Sequence, residues 1–246
     1  MASAHPIRIL VIDDDAVMTE LLSAILGMHG HDVTTVASGE AALALLPAQT
    51  FDVVLTDLQL PGLSGHALAT ALRSAIDPKT RLLGMSGSAP SAHERSAFDA
   101  FLLKPFTAEQ FAEAAATSAS SSPNPPSESQ TLDPGPSPLD EAIVARLSKQ
   151  LPPAKLKELF QLTLSDARMR LGLIQTALAA DDMDTVRREA HAIKGGAGMV
   201  GATELHQMAA KAENAASKGS AQDTPAVADF LAACVRLERM LDTRFS

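Results

Sequence analysis

The segment ILVIDDD, residues 9–15, decides the fold of the first half of the chain. Consecutive branched apolar residues are typical of a strand buried on both faces, and the aspartates that follow mark its end. We therefore predict a strand at 7–12. Similar short apolar runs recur downstream and predict four more strands, at 31–36, 51–56, 81–86 and 100–103.

Helical periodicity fills the intervals between these runs. We predict helices at 16–28, 39–46, 65–74, 91–98 and 107–116. Strands that alternate with helices predict a (βα)5 order around a parallel sheet. In such a sheet the carboxyl ends of the strands meet at one edge, and ligand chemistry collects there.

Charged and hydroxyl side chains follow the predicted strand ends, namely Asp13, Asp14 and Asp15, then Asp57, Ser86 and Lys104. Carboxylates this close repel one another unless they share a cation, and Mg²⁺ suits a site that also binds phosphate. A hydroxyl and an ammonium can hold the remaining phosphoryl oxygens. Asp57 stands alone at its strand end, the position of a nucleophile that becomes an acyl phosphate. Asp13 and Asp14 are then metal ligands.

The aspartates allow two other interpretations. Residues 13–15 could simply cap a helix N-terminus, as carboxylates often do. Alternatively, Asp13 to Val17 fits the DxDxV motif of haloacid-dehalogenase-like phosphatases. That class needs another acidic pair after the lysine, and the candidates here lie in or beside a Ser/Pro-rich segment: Glu128, Asp133 and the pair Asp140 and Glu141.

Four motifs, in this order, resemble those of response-regulator receiver domains: ILVIDDD at 9–15, DVVLTDLQLPGLSG at 52–65, MSGS at 85–88 and FLLKPF at 101–106. The resemblance covers about residues 6–117 and implies a flavodoxin-like α/β fold. It also implies site roles: Asp57 as phosphoacceptor, Mg²⁺ held by Asp13, Asp14, Asp57 and the Gln59 backbone carbonyl, phosphoryl contacts from Ser86 and Lys104, and Phe101 as the switch aromatic. Ser86 and Lys104 are only 18 residues apart, which predicts a shortened fourth helix.

A Ser/Pro-rich segment, SASSSPNPPSESQTLDPGPSP at 118–138, offers almost no apolar surface for a core. Such composition predicts an extended linker. It divides the chain into a receiver domain at 1–117 and a second domain at 139–246.

After the linker, apolar residues recur every three or four positions, as in Phe160, Leu164, Ala167, Leu171, Ile174 and Leu178. This periodicity predicts a helical bundle. His191 lies about 160° around its helix from Ile193, so we expect it to be exposed, with Arg187, Arg188 and Lys194 on much the same face. Neutral imidazole is a competent nucleophile, and nearby cations stabilise an added phosphoryl group.

Glycines cluster one turn after this histidine, at Gly195, Gly196 and Gly198. Each disfavours a helix by roughly 1 kcal/mol relative to alanine, so the cluster suggests that another backbone approaches closely. A helix that simply ends at Gly195 is the alternative.

The string AHAIKGGAGMVGATEL, residues 190–205, resembles the HxxKGxxxxxG motif of histidine-phosphotransfer (HPt) domains. His191, Lys194, Gly195 and Gly201 match, and the resemblance spans about 139–246. It implies an all-α fold of the four-helix-bundle type in which His191 is phosphorylated beside Lys194. The sequence assigns no role to the other histidines, among them His29, His31 and His206.

Together these features predict a two-component phosphorelay intermediate. It accepts a phosphoryl group on Asp57 from a histidine kinase, hybrid or not, and exchanges it through His191 with the receiver aspartate of a downstream response regulator. It promotes its own aspartate phosphorylation, but no nucleotide-binding glycine motif marks an ATP-dependent kinase. A binding module or phosphate sink with a silent His191 is the alternative.

Composition limits the partners and the cellular location that we expect for the protein. A formal net charge of -9 argues against a nucleic-acid partner. No apolar run approaches the roughly 18 residues of a membrane span, and the first residues lack a signal-peptide pattern. The single Cys234 fits a protein core. We expect a cytoplasmic protein without membrane insertion.

Overall fold

The computed structural model describes residues 6–87, 90–104, 106–116 and 138–245. These residues form two compact units, one on each side of 117–137. The predicted linker at 118–138 lies, except for its last residue, outside the described residues. The exact domain boundaries therefore stay a prediction.

The first unit is a parallel sheet with helices between its strands. In chain order its elements are β1 (Arg8–Ile12), α1 (Ala16–Met28), β2 (Asp32–Val36), α2 (Gly39–Leu45), β3 (Val53–Asp57), α3 (Gly65–Ala75), β4 (Arg81–Ser86), α4 (Ala92–Arg95), β5 (Ala100–Leu103) and α5 (Ala108–Ala116). The strand order is β2-β1-β3-β4-β5, and all pairs are parallel. The predicted α/β flavodoxin-like fold is confirmed. Strand order reverses beside β1 and β3, so ligands are expected beyond their carboxyl ends.

The largest difference from the predicted elements is α4, which we expected at 91–98. It ends at Arg95, because the chain has already rejoined the sheet where Asp99 N donates to the Leu82 carbonyl at 2.8 Å. Phe98 continues the apolar periodicity, but it is buried against Phe101 instead of extending a helix. The shortened fourth helix, predicted from the spacing of Ser86 and Lys104, is confirmed.

The second unit is helical throughout residues 138–245, apart from its turns. Its helices are α6 (Glu141–Gln150), α7 (Pro153–Ala179), α8 (Met183–Val200), α9 (Thr203–Ser217) and α10 (Val227–Arg244), with a short 3-10 turn at Ala221–Asp223. Helices α7 to α10 pack in sequence, and α10 closes against α7, which makes a four-helix bundle. Cys234 is fully buried there with Phe230, Leu237 and Leu241, as expected of a core residue.

Helix α8 continues through the glycine cluster, so the alternative that it ends at Gly195 is wrong. It begins at an Asp182 cap whose carboxylate accepts from Thr185 N at 3.0 Å. It ends at Gly201, which has a φ of 78°. A Cβ there would lie 3.2 Å from the Asp140 carbonyl oxygen, so both conformation and space favour glycine.

Across the part of the chain that the structure describes, no helix is long and apolar enough to cross a membrane.

Candidate functional site

The carboxyl edge of the sheet brings together Asp13, Asp57 and Lys104. Lys104 follows β5, and its Nζ lies 2.8 Å from Asp13 Oδ2 and 2.8 Å from Asp57 Oδ2. Asp13 follows β1 and Asp57 ends β3, so adjacent parallel strands place both carboxylates at the same edge. Asp13 and Asp57 are buried, and the side chain of Lys104 is 11% exposed. One ammonium therefore holds two carboxylates.

This arrangement settles the ionisation of Lys104. Burial alone would lower the pKa of Lys104, but the negative charges and hydrogen bonds of Asp13 and Asp57 outweigh burial and raise it. The lysine is a fixed cation at neutral pH. An oxygen-rich pocket with one permanent positive charge can receive a phosphoryl group and neutralise part of its charge.

The other predicted residues of this edge are placed less fully. Ser86 is buried at the end of β4, and its carbonyl accepts from Lys104 N at 2.8 Å. Gln59 N donates to Asp57 Oδ1 at 3.2 Å, so the Gln59 backbone lies beside the Asp57 carboxylate. Asp14 is half-buried. The phosphoryl contact of Ser86 and the metal-ligand roles of Asp14 and the Gln59 carbonyl stay predictions.

Asp15 behaves differently from its neighbours. Its Oδ1 accepts from Val17 N at 2.8 Å and from Met18 N at 3.2 Å, which caps the first turn of α1. The capping interpretation is therefore right for Asp15 and wrong for Asp13, whose carboxylate faces Lys104. Within the described residues, no three His, Cys, Asp or Glu side chains stand in an arrangement that could hold a metal ion.

Phe101, the predicted switch aromatic, lies half-buried in β5 opposite Gly84 of β4. A Cβ on Gly84 would be 2.4 Å from Phe101 Cε1, so the ring occupies space that only glycine leaves open. The ring also meets Phe98 edge-on, with centroids 4.8 Å apart. The switch role stays a prediction.

A residue that the sequence analysis missed supports the loop after Asp57. Glu40, in the first turn of α2, accepts from Leu63 N at 2.9 Å through Oε1. That bond lowers the pKa of the Glu40 carboxyl. Because residues 58–64 connect Asp57 to α3, Glu40 fixes the loop that contains Gln59.

In the helical unit, His191 shares a carboxylate with Lys194. His191 Nδ1 lies 2.7 Å from Glu213 Oε1, and Lys194 Nζ lies 2.5 Å from Glu213 Oε2. The two nitrogens belong to α8 and the carboxylate to α9. An ionised carboxylate only accepts, so Nδ1 bears a proton, and in the neutral imidazole the lone pair is then on Nε2. Nε2 is thus the nitrogen available as a nucleophile.

The electrostatics of Glu213 fit this assignment. Burial would raise the pKa of Glu213, but the hydrogen bonds and charges of His191 and Lys194 dominate and lower it to about 2. The carboxylate stays ionised throughout the physiological range. It fixes the imidazole orientation in the way that a carboxylate orients a ligating or catalytic histidine.

Two expectations for His191 are wrong. Its side chain is only 21% exposed, and its Nδ1 faces Glu213 of α9 instead of solvent. Its direct partner is an anion and not a set of cations: Arg188 turns instead to Glu189 Oε1 at 3.2 Å and to Thr185 Oγ1 at 3.2 Å. Glu213 was missed because no local motif marks it. The available signal was a carboxylate within an alanine-rich stripe of α9, AENAA at 212–216.

The fold and the two clusters define the class. An α/β domain of the receiver type, with carboxylates and a lysine at the carboxyl edge of its sheet, precedes a helical bundle in which a histidine contacts a half-buried carboxylate. Family models agree with this division. Residues 9–116 match the response regulator receiver domain, and residues 158–244 match the Hpt domain. The chain therefore belongs to the receiver family in its first part and to the Hpt family in its second.

Curated relatives share one or both domains. The chain is 35% identical to the response regulator protein FleR of Pseudomonas aeruginosa over 105 residues, covering 41% of this chain and 22% of FleR. It is 29% identical to the virulence sensor protein BvgS of Bordetella parapertussis over 254 residues, covering 97% of this chain and 20% of BvgS. The chain thus spans about a fifth of the length of these two relatives.

Among solved structures, a response regulator receiver domain (CheY-like) from Methylobacillus flagellatus is 27% identical, with a TM-score of 0.42. The match covers 45% of this chain and 98% of that domain.

Proposed function

We propose that this chain is a two-component phosphorelay intermediate in which Asp57 and His191 are the phosphoacceptors. The proposal rests on one observation. The chain contains both kinds of side chain, an aspartate and a histidine, between which a phosphorelay passes its phosphoryl group. One is a carboxylate beside a permanent cation, and the other is an imidazole with its proton held on Nδ1.

The Asp57 step begins with the phosphohistidine of a histidine kinase. A carboxylate oxygen of Asp57 attacks phosphorus, an O–P bond forms, the N–P bond breaks, and the electron pair returns to the departing imidazole nitrogen. Lys104 can hydrogen-bond to the phosphoryl oxygens as negative charge develops on them, because its ammonium already lies 2.8 Å from the attacking carboxylate of Asp57. We propose that Ser86, at the neighbouring strand end, donates to another phosphoryl oxygen.

Mg²⁺ is the cofactor that we propose for this edge. Hard oxygen donors fit it, because Mg²⁺ is commonly bound by one or two carboxylates plus water and phosphate oxygens. Asp13 and Asp57 supply two carboxylates, and we assign the remaining protein ligands to Asp14 and the Gln59 carbonyl. When bound, the ion supplies positive charge against the developing phosphoryl oxygens. In this sense the domain promotes its own phosphorylation, with a separate kinase as donor.

The His191 step exchanges the group with a receiver aspartate. His191 Nε2 attacks the phosphorus of an aspartyl phosphate, an N–P bond forms, and the O–P bond to the carboxyl breaks. The electron pair of the broken bond returns to the departing carboxylate. The proton stays on Nδ1 of His191, hydrogen-bonded to Glu213, whose negative charge balances the positive charge that develops on the ring. The proposed partners are a histidine kinase and a downstream response regulator. A single, buried cysteine suits the reducing cytoplasm as the place of action.

Labelled-phosphate tracing tests the proposal. A kinase prelabelled with ³²P is mixed with the full chain, with Asp57→Asn and with His191→Gln. We expect no label in Asp57→Asn, acid-stable but base-sensitive label in His191→Gln, and both types in the parent chain. Lys79→Ala, at an exposed lysine of the same unit, is the control that keeps full labelling. Chelation of Mg²⁺ with EDTA is expected to suppress labelling at Asp57.

The same variants decide between a relay and a sink. If His191 never acquires label from the Asp57 phosphate of its own or another chain, and never donates to any receiver, the chain is a sink or a switched binding module. Mixing Asp57→Asn with His191→Gln chains then reports whether transfer occurs between molecules, because label on His191 in that mixture must come from another chain.

A further inference from the structure

His206, on α9, lies against the glycine cluster of α8. Its Nδ1 is 2.9 Å from the backbone carbonyl oxygen of Lys194. A carbonyl only accepts, so Nδ1 of His206 carries a proton and donates it. The bond joins the His206 side chain on α9 to the backbone of α8 at Lys194. The ammonium of the same lysine contacts Glu213.

The ring also fills the space that Gly198 leaves open. A Cβ on residue 198 would lie 2.8 Å from His206 Nδ1 and 3.3 Å from its Cε1. A Cβ does not approach a ring nitrogen as closely as 2.8 Å, so a side chain at 198 would shift the imidazole and weaken its bond to the Lys194 carbonyl. Gly198 is therefore explained by a neighbouring side chain within the bundle, whereas we had expected the close approach of another backbone.

These contacts repeat along both helices. On α8, His191, Lys194 and Gly198 are spaced i, i+3 and i+7, and therefore share one face. On α9, His206 and Glu213 are seven residues apart, again on one face. The two helices thus meet through the pair His206 and Lys194 at one level and through Glu213 with both His191 and Lys194 at the next.

We propose that His206 is a positioning residue for phosphotransfer at His191. By donating to Lys194 and seating over Gly198, it fixes the register of α8 against α9, and that register places the Glu213 carboxylate opposite both His191 and Lys194. The inference deepens the proposed function and rests on it for its kinetic consequence. Its structural part, the control of the His191 tautomer, stands without any transfer reaction.

The first test follows the His191 ring by ¹⁵N NMR of the full chain, with His191→Gln used to assign the signals. For the neutral His191 ring of the parent chain we expect a protonated Nδ1 and an unprotonated Nε2. His206→Ala is expected to give a mixture of the two neutral tautomers. His206→Asn places an amide donor near the position of Nδ1 and is expected to restore the parent spectrum, which a merely space-filling role would not predict.

The second test is a double-mutant cycle. Gly198→Ala is expected to lower the folding constant of the parent chain, because the new methyl group displaces His206. In the His206→Ala background the same change is expected to raise the folding constant about fourfold, since alanine favours a helix over glycine. Gln207→Ala, at the exposed next residue of α9, is the matched control background and should leave the effect of Gly198→Ala as in the parent.

The kinetic consequence is a slower transfer to His191, about tenfold in His206→Ala and within about twofold of the parent in His206→Asn, because misplacement of a reacting group weakens catalysis. Unchanged ring-nitrogen shifts in His206→Ala, or the same sign for Gly198→Ala in both backgrounds, would overturn the positioning role. Absence of transfer in the parent chain, with the NMR and folding results as expected, would instead refute the proposed function alone.

Discussion

Each unit contains a cluster of three polar side chains, and the central side chain is a cation in one cluster and an anion in the other. In the α/β unit one ammonium lies between two carboxylates, at 2.8 Å from each. In the helical unit one carboxylate lies between an imidazole and an ammonium, at 2.7 and 2.5 Å. Each nucleophile is therefore held by a group of opposite character, and the shared group differs in sign.

The comparison teaches how much each site must rearrange before it reacts. Both oxygens of Asp57 are engaged, Oδ2 by Lys104 and Oδ1 by Gln59 N, so an attacking oxygen must loosen an existing bond. His191 is held through Nδ1, while its proposed nucleophile, Nε2, is a different atom. The aspartate site is thus expected to move on phosphorylation and the histidine site to stay fixed. The four predictions below test how much the charged groups of each site contribute to its stability and reactivity.

The largest expected effect follows from removal of the shared ammonium. Lys104→Ala leaves Asp13 and Asp57 facing each other while buried, and we expect the free energy of unfolding in EDTA to fall by about 3 kcal/mol, as when one partner of a buried ion pair is lost. Urea denaturation measures the change, with Lys79→Ala as control. An unfolding free energy equal to that of the control would contradict it.

Removing the shared charge of the helical site is expected to have a smaller effect. In Glu213→Gln the amide can still accept from Nδ1, but it no longer balances the ring charge, so transfer to His191 should slow about tenfold. Quenched-flow labelling measures the rate. Glu204→Gln, on the same helix but paired with Arg236, provides the control. Equal rates in the two variants would show that Glu213 does not orient His191.

The pH dependence of stability tests whether His191 and Lys194 stabilise the ionised carboxylate of Glu213. The pKa of Glu213 is about 2 in the folded chain, below its ordinary value of 4.5, so its ionisation stabilises the fold above about pH 4.5. That contribution is lost as the pH falls toward 2. The stability difference between the parent and Glu213→Gln should therefore shrink between pH 5.5 and pH 3 in urea titrations. A difference that does not change with pH would mean that the carboxylate is not stabilised by its partners.

The smallest effect concerns the loop after Asp57. Glu40→Gln weakens the bond to Leu63 N without removing the acceptor, and we expect Mg²⁺ affinity to fall by about two- to threefold, since outer-shell groups tune metal affinity. Isothermal calorimetry with Mg²⁺ measures it directly. Glu141→Gln, at an exposed glutamate of the other unit, should bind Mg²⁺ as the parent does.

The sequence predicts the acidic edge better than the histidine site, for a physical reason. Parallel strands deliver every strand end to one edge, so a linear list of strand-terminal residues already contains Asp13, Asp57 and Lys104. Helices offer no such rule. The 100° rotation per residue places His191 on its own helix but does not say which neighbour covers it, or at which level.

Because the sequence does not give the register between α8 and α9, it did not identify Glu213 and His206 as partners of His191 and Lys194. Glu213 and His206 lie on α9, 22 and 12 residues from their partners on α8. Their pairing depends on how two helices slide against each other, which packing of the whole bundle decides. The length of α4 was overestimated for a similar reason, because Phe98 fits helical periodicity and yet belongs to the approach of β5.

The burial of Cys234 has a practical consequence for measuring the whole molecule. It is the single cysteine of the chain, it is fully buried in the bundle, and burial raises the pKa of its thiol. Maleimide reagents, which need an accessible thiolate, will therefore leave it unmodified under native conditions. Cysteines introduced at exposed positions such as Lys79 and Lys218 can carry spin labels or fluorophores on an otherwise silent background. Distances between the two units, before and after phosphorylation, then become measurable without any prior substitution in the core.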